Sequence, residues 1–373
     1  MRGVRAALPD LLLVGLLTGC TGTGSVAPGP GGDATGTGID PSDGEGASGE
    51  GPGGTGGTGD GGGTGGTGDG GGTGGTGGSS DGGGTGSGEV LPELPPCPTT
   101  GPISSWGEVE EDRILEASGL VHSAVNPGVL WTHNDARNEP ELFAFAEDGR
   151  HLGAWAVDTT MRDWEDLDRG FDATLGAAAL YVGDIGDNAR ARGTYEVLVI
   201  PEPAVDAAAP PQTGLLGPAA TLTLTYPEDR AYDSESLAVD PRTGDLVLVV
   251  KSAEGISGVY RKPAPHVDGE AVELEWVGSL AFGTTPLGGN PRTTAASFSP
   301  DGAWFAIRTY SHAYLWRRPE GVSVGLMLTG EPCDLAAPAE DQGEAIAFRA
   351  DGSGYITVSE GAHPAILTKD LHP

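Results

Sequence analysis

Short apolar runs separated by turn residues recur along the chain after residue 96. The clearest unit spans 235–251, where an apolar run leads into a Pro/Gly turn and then a second, almost wholly apolar run. An apolar run of roughly four to eight residues bounded by turn residues is typical of a buried strand, and two such runs joined by a short turn form a β-hairpin. This stretch therefore predicts one hairpin of a β-sheet.

The same hairpin pattern occurs five times, and each copy is followed by further short strands. The copies lie at 118–135, 165–188, 235–251, 296–308 and 344–359. Units of about 40–50 residues, each with four short strands, are typical of propeller blades. We therefore predict an all-β fold, a five-bladed β-propeller. A sixth blade would require another sheet inside the long second unit, within its insertion at 201–219.

The last unit provides three strands, whereas each of the first four provides four. In the fourth unit, for example, strands are predicted at 295–299, 304–309, 314–317 and 322–328. The missing strand is available at 103–109, before the first blade begins. A ring closed by pairing N-terminal and C-terminal strands in one blade removes free sheet edges. We therefore predict that 103–109 complete the fifth blade.

The first twenty residues have the pattern of a lipoprotein signal. Arg2 and Arg5 precede an apolar run at 11–17 that is too short to span a bilayer, and Leu17-Thr-Gly-Cys20 resembles the bacterial lipobox. Residues 1–19 are predicted to be a signal peptide and Cys20 to carry lipid, which makes a lipid bilayer one partner. The expected location is the cell envelope, on the outer membrane or the cell surface. The alternative is an ordinary secretory signal that happens to contain a cysteine.

Residues 20–96 begin with the lipidated cysteine and continue as a segment rich in Gly, Thr, Asp and Ser. The sequence Gly-Gly-Thr-Gly-Gly-Thr-Gly-Asp stands at both 53–60 and 62–69. Such a segment has too little apolar surface to offset the entropy lost on ordering, so we predict a disordered tether. The propeller domain is predicted to occupy 97–373.

The charge balance bears on the class of partner. The chain has 20 Lys and Arg residues against 53 Asp and Glu residues, a formal net charge of −33. Nucleic acid is excluded as a partner, because phosphate binding needs a positive field. A divalent cation or a cationic ligand suits this field better, although an acidic surface also serves solubility alone. The partner, a small ligand or a protein, is not identified by charge.

Two cysteines remain once Cys20 is set aside. In the five-bladed arrangement Cys97 shortly precedes the closing strand of blade five, and Cys333 lies between the last strand of blade four and the first of blade five. They should be neighbours in an oxidising compartment. We predict a disulfide between them, with two unpaired thiols as the alternative.

Acidic residues recur where the innermost strands begin. The start of this strand is acidic in four units, and blade four has Arg292-Thr-Thr294 instead. Like charges that converge on one axis repel unless a cation, arginines or N–H groups compensate them. The four acids are Glu116, Glu165, Glu235 and Glu344, with Asp163 and Asp233 just upstream of two of them.

Polar residues also follow the second strands, and hard oxygen ligands of this kind suit Ca²⁺ better than zinc. We predict that the four acids bind Ca²⁺ together with Asp184, Asp187 and Asn188. A ligand is expected to contact His133, Asn134, Asp135, Lys251, Arg292 and Arg308. The structural alternative is that the acids accept hydrogen bonds from neighbouring blades and fix the ring, with Lys251 and Arg308 as counter-ions.

No nucleophile signature is present in the sequence. There is neither a Gly-x-Ser-x-Gly motif nor a Gly-rich phosphate loop. His122 and His133 lack an identifiable Ser or Cys partner, so each is predicted to be a histidine at a strand end rather than a catalytic base.

Seven segments carry a resemblance to a known family, and they are Ala117–Leu120, Leu130–Asp135, Asp163–Asp166, Tyr181–Asn188, Asp233–Ala238, Arg308–Tyr310 and Gln342–Ile346. They resemble secreted bacterial β-propellers related to the phytase-like, or "esterase-like activity of phytase", group. The resemblance implies a propeller, export and calcium-linked hydrolysis of phosphoesters or esters.

Two functions from different classes follow. The preferred one is a surface-tethered propeller that binds a cation or another ligand at an acidic channel mouth. The alternative is a Ca²⁺-dependent phosphoesterase or esterase, which needs a grip for the substrate anion that only Lys251, Arg292 and Arg308 are placed to supply.

Overall fold

The computed structural model describes residues 90–135, 138–283 and 289–372. These residues form five β-sheets in which almost every strand pairs with its neighbour in the antiparallel sense. The predicted signal peptide, Cys20 and most of the predicted tether lie outside the described residues. Within the described part of the chain, no helix has both the length and the apolar character that a membrane span requires.

Strands account for most of the regular structure. The first eleven are β1 (Thr99–Thr100), β2 (Ser104–Glu108), β3 (Ala117–His122), β4 (Val129–Asn134), β5 (Glu141–Ala146), β6 (His151–Val157), β7 (Trp164–Asp172), β8 (Ala177–Asp184), β9 (Tyr195–Pro201), β10 (Gln212–Leu216) and β11 (Ala220–Thr225). The remaining twelve are β12 (Ser234–Val239), β13 (Leu246–Val250), β14 (Ile256–Lys262), β15 (Ala271–Glu273), β16 (Glu275–Ala281), β17 (Thr293–Phe298), β18 (Trp304–Thr309), β19 (His312–Arg317), β20 (Cys333–Ala336), β21 (Gly343–Phe348), β22 (Gly354–Ser359) and β23 (Ala365–His372).

Each sheet is one blade of a five-bladed propeller, as predicted. Blade one runs from β3 to β6, blade two contains β7, β8, β9 and β11, and blade three contains β12, β13, β14 and β16. Blade four runs from β17 to β20, and blade five contains β21, β22 and β23 with β1 and β2. The first strand of every blade packs beside the first strand of the next, and β21 packs beside β3, so the ring is closed.

The hydrophobic core is divided among the five interfaces between blades. Every residue of the first strands of blades one, three, four and five is buried, and so are the first five residues of β7 in blade two. Leu237 and Leu248 of blade three pack against Tyr181 and Val197 of blade two, and four similar clusters fill the other interfaces. The apolar repeat in the sequence therefore builds the contacts that hold neighbouring blades together.

Blade five is completed by the N-terminal strands, as the strand count predicted. β2 pairs antiparallel with β23, and β1 pairs with the end of the same strand. A disulfide joins Cys97 to Cys333, whose Cα atoms are 5.5 Å apart, so the predicted bridge is confirmed in the structure. It links the segment before β1 to the outermost strand of blade four.

Three segments differ from the sequence prediction. The predicted strand at 322–328 is instead the short helix α1 (Val324–Met327), whose first turn is capped by the Ser323 hydroxyl, and the fourth strand of blade four is β20. The insertion at 201–219 contains β10, which pairs in parallel with β6 as a fifth strand of blade one rather than forming a sixth blade. Likewise, β15 adds a parallel fifth strand to blade two. A short 3₁₀ helix lies at Pro227–Asp229.

Candidate metal centre

A β-bulge at the start of each innermost strand directs side chains toward one end of the ring axis. In blade two, Trp164 and Asp166 pair with consecutive residues of β8, which leaves Glu165 without a partner in the ladder. Glu235 is left out in the same way between Ser234 and Ser236. Such an extra residue bends the strand and re-aims its own side chain. The equivalent residues are Thr294 in blade four and Glu344 in blade five.

Five carboxylates form what we call the acidic cluster. Its members are Asp135, Asp163, Glu165, Asp233 and Glu235. Oxygen atoms of Asp135, Asp163 and Glu165 lie within 4.8 Å of one another, and so do those of Glu165, Asp233 and Glu235. Glu165 belongs to both groups of three and therefore joins them. Asp135 follows β4, whereas Asp163 and Asp233 directly precede β7 and β12.

Glu165 is the buried centre of the acidic cluster. Glu165 is only 3 % exposed. Burial, followed by the negative charges of Glu235 and Asp135, raises the pKa of Glu165 well above its usual value. In the described part of the chain, no hydrogen bond to this carboxylate offsets that cost. A buried carboxylate without a protein donor is stabilised by a proton, by water or by a cation.

The neighbouring aspartates share this electrostatic cost. Burial and the charge of Asp233 raise the pKa of Asp163 to about 6, against the opposing effect of Arg192. Burial also raises the pKa of Asp233, although its Oδ1 accepts a hydrogen bond of 2.8 Å from the Asp187 N–H. The cluster therefore holds more negative charge than its own hydrogen bonds compensate.

Lys251 is a basic group in direct contact with the cluster. Its Nζ forms an ion pair with Glu235 and lies 3.4 Å from the Tyr310 hydroxyl. The same hydroxyl donates to Glu344 Oε1 over 2.7 Å. Burial raises the pKa of Glu235 despite Lys251, whereas the charge of Glu235 raises the pKa of Lys251. One lysine thus offsets part of the charge of five carboxylates.

Gly186 brings the loop after β8 into close contact with the cluster. A Cβ atom at this position would lie 2.0 Å from Glu165 Oε1 and 2.5 Å from Asp163 Oδ2. A side chain there would force both carboxylates to shift, so glycine allows the backbone to approach them this closely.

The structure places the other predicted metal ligands outside the acidic cluster. Asp184 pairs with Arg192 over 2.7 Å and accepts the Arg162 N–H, while Asp187 accepts two N–H groups of its own loop and the Tyr195 hydroxyl. Asn188 is exposed in the same loop. Asp184 and Asp187 therefore stabilise the loop that carries Gly186.

Glu116 and Glu344 also lie outside the cluster. Glu116 is exposed before β3 and accepts a hydrogen bond from Asn138, because the bulge of blade one contains Ser118 rather than Glu116. Glu344 occupies the bulge of blade five but is held by Tyr310 and by Gln342, whose Nε2 is 3.3 Å from Glu344 Oε1.

Of the six residues predicted to contact a ligand, three are buried in structural contacts, one is exposed and two lie at the acidic cluster. The Asn134 side chain accepts hydrogen bonds from the N–H groups of Leu115 and Glu116 and stabilises the segment before β3. The buried His133 ring packs edge-on against Trp164 at 5.6 Å, and burial lowers the pKa of His133 to about 4, so it is neutral at pH 7. Arg308 is fully buried in an ion pair with Glu340. Arg292 is exposed, and Asp135 and Lys251 lie at the cluster.

The predicted ligand set omits Asp163 and Asp233, although the sequence contains a signal for both. Each stands two residues before a bulge glutamate, in Asp163-Trp-Glu165 and Asp233-Ser-Glu235. The strand turns at the bulge, so both acids of the pair point to the same end of the ring.

The donor set of the acidic cluster fits a hard cation. Ca²⁺ prefers six to eight oxygen ligands, and carboxylates can bind it through one oxygen or two. Glu165 would be a ligand together with either Asp135 and Asp163 or Asp233 and Glu235, because each of these groups of three brings its oxygens within 4.8 Å of one another. The cluster contains no cysteine or histidine ligand, which is the opposite of a zinc site.

Comparisons with known proteins concern the fold and no other property of the chain. No known protein family matches the chain, and no curated protein sequence matches it. A crystal structure of the RRP9 WD40 repeats is 10 % identical over 74 % of this chain and 99 % of that chain, with a TM-score of 0.40. The structure of U3-55K is 12 % identical over 68 % of each chain, with a TM-score of 0.35. Neither likeness carries an argument about this protein, whose propeller is defined by its own strand pairing.

Proposed function

We propose that this propeller binds a divalent cation, Ca²⁺ by preference, at the acidic cluster. The observation that carries the proposal is the buried Glu165 carboxylate, which lacks a donor among the described residues and lies within 4.8 Å of two other pairs of carboxylates. A bound Ca²⁺ would replace the missing donors and neutralise two charges. The cluster then becomes a site at which the cation can hold an anionic group of a ligand.

The test is calorimetric titration of the protein with Ca²⁺ after chelation. The native protein should bind the ion, and Glu165→Gln should weaken binding at least tenfold, because the amide keeps the shape but removes the shared charge. The matched control is Glu196→Gln, a half-buried glutamate on β9 outside the cluster. Absence of Ca²⁺ binding by the native protein, or equal binding by both variants, would contradict the proposal.

The N-terminal pattern supports a second part of the proposal, an anchor. Leu17-Thr-Gly-Cys20 resembles a lipobox, and acyl chains on Cys20 would tether the propeller to the surface of a bacterial membrane in the cell envelope. The mature protein should partition into detergent and carry lipid on Cys20, detectable by mass spectrometry. If Cys20→Ala leaves detergent partitioning unchanged, the anchor is something else.

The alternative function is a Ca²⁺-dependent phosphoesterase or esterase, which the phytase-like sequence motifs suggest. One feature favours it, since Lys251 lies beside the carboxylates and could pair with a substrate anion while a cation holds its other oxygen. Chromogenic phosphate and carboxylate esters should then be hydrolysed with Ca²⁺ but not with EDTA. If the esters are hydrolysed neither with Ca²⁺ nor with EDTA, the hydrolase alternative is contradicted and cation binding is the function that remains.

A further inference from the structure

A groove beside the acidic cluster is lined by aromatic side chains. It has a volume of about 270 Å³ and is bordered by residues of blade three and of two neighbouring loops. Trp276 and Ile256 on its walls are 55 % and 64 % exposed, which is unusual for such large apolar side chains. The groove is therefore an exposed apolar surface with a defined shape.

The aromatic wall is held rigidly from behind. Tyr260 meets Trp276 edge to face at 5.3 Å and lies 5.8 Å from Tyr232, while the fully buried Tyr226 contacts both tyrosines. A Cβ atom on Gly258 would come within 2.8 Å of Tyr260 and 3.2 Å of Trp276. Glycine on this strand thus allows the two rings to meet, and fixed aromatic surfaces are suited to stacking against a flat ring.

The other end of the groove carries positive charge in a strongly acidic protein. Arg190 and Lys251 both line it. Among the described residues, the exposed Arg190 guanidinium forms no salt bridge, and its charge opposes the rise that burial causes in the pKa of Asp233. Lys251 uses its ammonium for Glu235 and Tyr310 and keeps further donor capacity. The acid that lines the groove, Glu254, already accepts a hydrogen bond of 3.1 Å from Ser252.

We propose that this groove binds a small anion attached to a flat ring, of the class of aryl phosphates. The ring stacks on Trp276 and Tyr260, and the anion pairs with Arg190 and Lys251. This ligand class contacts both ends of the groove, whereas a neutral sugar or a quaternary ammonium leaves the Arg190 guanidinium without an anionic partner. The proposal goes beyond the cation site, because the groove residues bind the ligand without a metal.

The probe is phenyl phosphate, titrated into the full-length protein in EDTA and again in Ca²⁺. We expect binding in EDTA that is at least tenfold tighter than that of inorganic phosphate or phenol alone. Trp276→Ala and Arg190→Gln should each weaken it roughly tenfold, because the first removes the stacking surface and the second removes a charge that pairs with the anion. The controls are Phe171→Ala and Arg150→Gln, which change an exposed ring and an exposed guanidinium outside the groove.

Three outcomes would overturn the proposal. These are no binding of phenyl phosphate, binding that both groove variants leave intact, and preferential binding of methyl glucoside or benzyltrimethylammonium. Phenyl phosphate binding is measured in EDTA, which removes any bound cation, and Ca²⁺ binding is measured without phenyl phosphate. A failed cation site and a failed aromatic groove are thereby distinguished, because the first changes only the Ca²⁺ titration.

Discussion

A single carboxylate in the ring connects three blades. Asp166 accepts the N–H of its own neighbour Leu167 over 2.8 Å, that of Leu237 in blade three over 2.8 Å, and that of Ala296 in blade four over 3.1 Å. Burial raises the pKa of Asp166 well above its usual value, and these three hydrogen bonds oppose the rise. The residue next to Glu165 in sequence is therefore structural, although both are buried acids of one strand.

Replacing Asp166 should destabilise the whole ring. Asp166→Ala leaves three backbone N–H groups without their acceptor, and each buried unsatisfied group costs about 1–3 kcal/mol. We expect the free energy of unfolding, measured by urea denaturation, to fall by about 3 kcal/mol or more. The exposed Asp148→Ala should change it by less than about 1 kcal/mol. Equal losses in both variants would refute the role of Asp166.

Asp168 should make the stability depend on pH. Burial raises the pKa of Asp168 to about 7, although its carboxylate accepts N–H groups from Val239 and Arg169. The native state therefore holds this proton more tightly than the unfolded chain, so the stability falls as the pH rises from about 4 to about 7. The loss is complete above pH 7 and amounts to about 4 kcal/mol at most.

The measurement is the melting temperature of Asp168→Asn beside that of the native protein. Since the amide does not titrate, the variant should lose less stability than the native protein between pH 5 and pH 8. Asp148→Asn, in an exposed turn, should follow the native curve. Parallel pH profiles for the native protein and Asp168→Asn would show that Asp168 is ionised throughout.

At the scale of elements, the sequence predicts what local patterning determines. The paired apolar runs with their turns give every inner hairpin, because a buried strand and a short turn are both encoded within a few residues. The parallel strands β10 and β15 were not predicted. Their partners β6 and β11 lie far away in sequence, and both strands lie at the outer edge of a blade, where apolar and polar residues need not alternate. The alternating run at 322–328 resembles a strand, but Ser323 caps a helical turn.

Only the part of the candidate site that local patterning determines was predicted from the sequence. Glu165 and Glu235 follow from the repeat, because equivalent positions in equivalent blades face the same axis. The register of blade one depends on an irregular pairing between Ala117 and Leu120, which the sequence does not reveal, so Glu116 lies before β3 and not at the bulge. The arginine partners of Asp184 and Glu340 depend on tertiary contacts.

The disulfide should stabilise the closure between elements. It joins residues separated by 236 positions, so it restricts a large part of the unfolded chain. Cys97→Ser with Cys333→Ser should lower the free energy of unfolding by about 2–5 kcal/mol, measured in guanidinium chloride. Dithiothreitol should destabilise the native protein by a similar amount and leave the double variant unchanged. Free thiols in the unreduced native protein would contradict the bridge.

For the whole molecule, the cation site predicts a response of the melting temperature to Ca²⁺. An ion that binds only the native state stabilises it by about 2.7 kcal/mol when its free concentration is a hundred times the dissociation constant. EDTA should therefore lower the melting temperature by roughly 5 °C, and Glu165→Gln should abolish most of this difference. Glu196→Gln should retain it. An unchanged melting curve in EDTA, with no divalent metal found by elemental analysis, would leave the acidic cluster with a purely structural role.

The pairing of β2 with β23 sets the order in which the ring can be finished. The strand that completes blade five is synthesised before blade one, and its partner is the last strand of the domain. The inner hairpins of the first four blades pair strands that are adjacent in sequence, but the seam stays open until β23 pairs with β2. Contacts this distant in sequence also form slowly. Until then β2 and the free edge of blade five expose unpaired backbone groups, which are a template for aggregation.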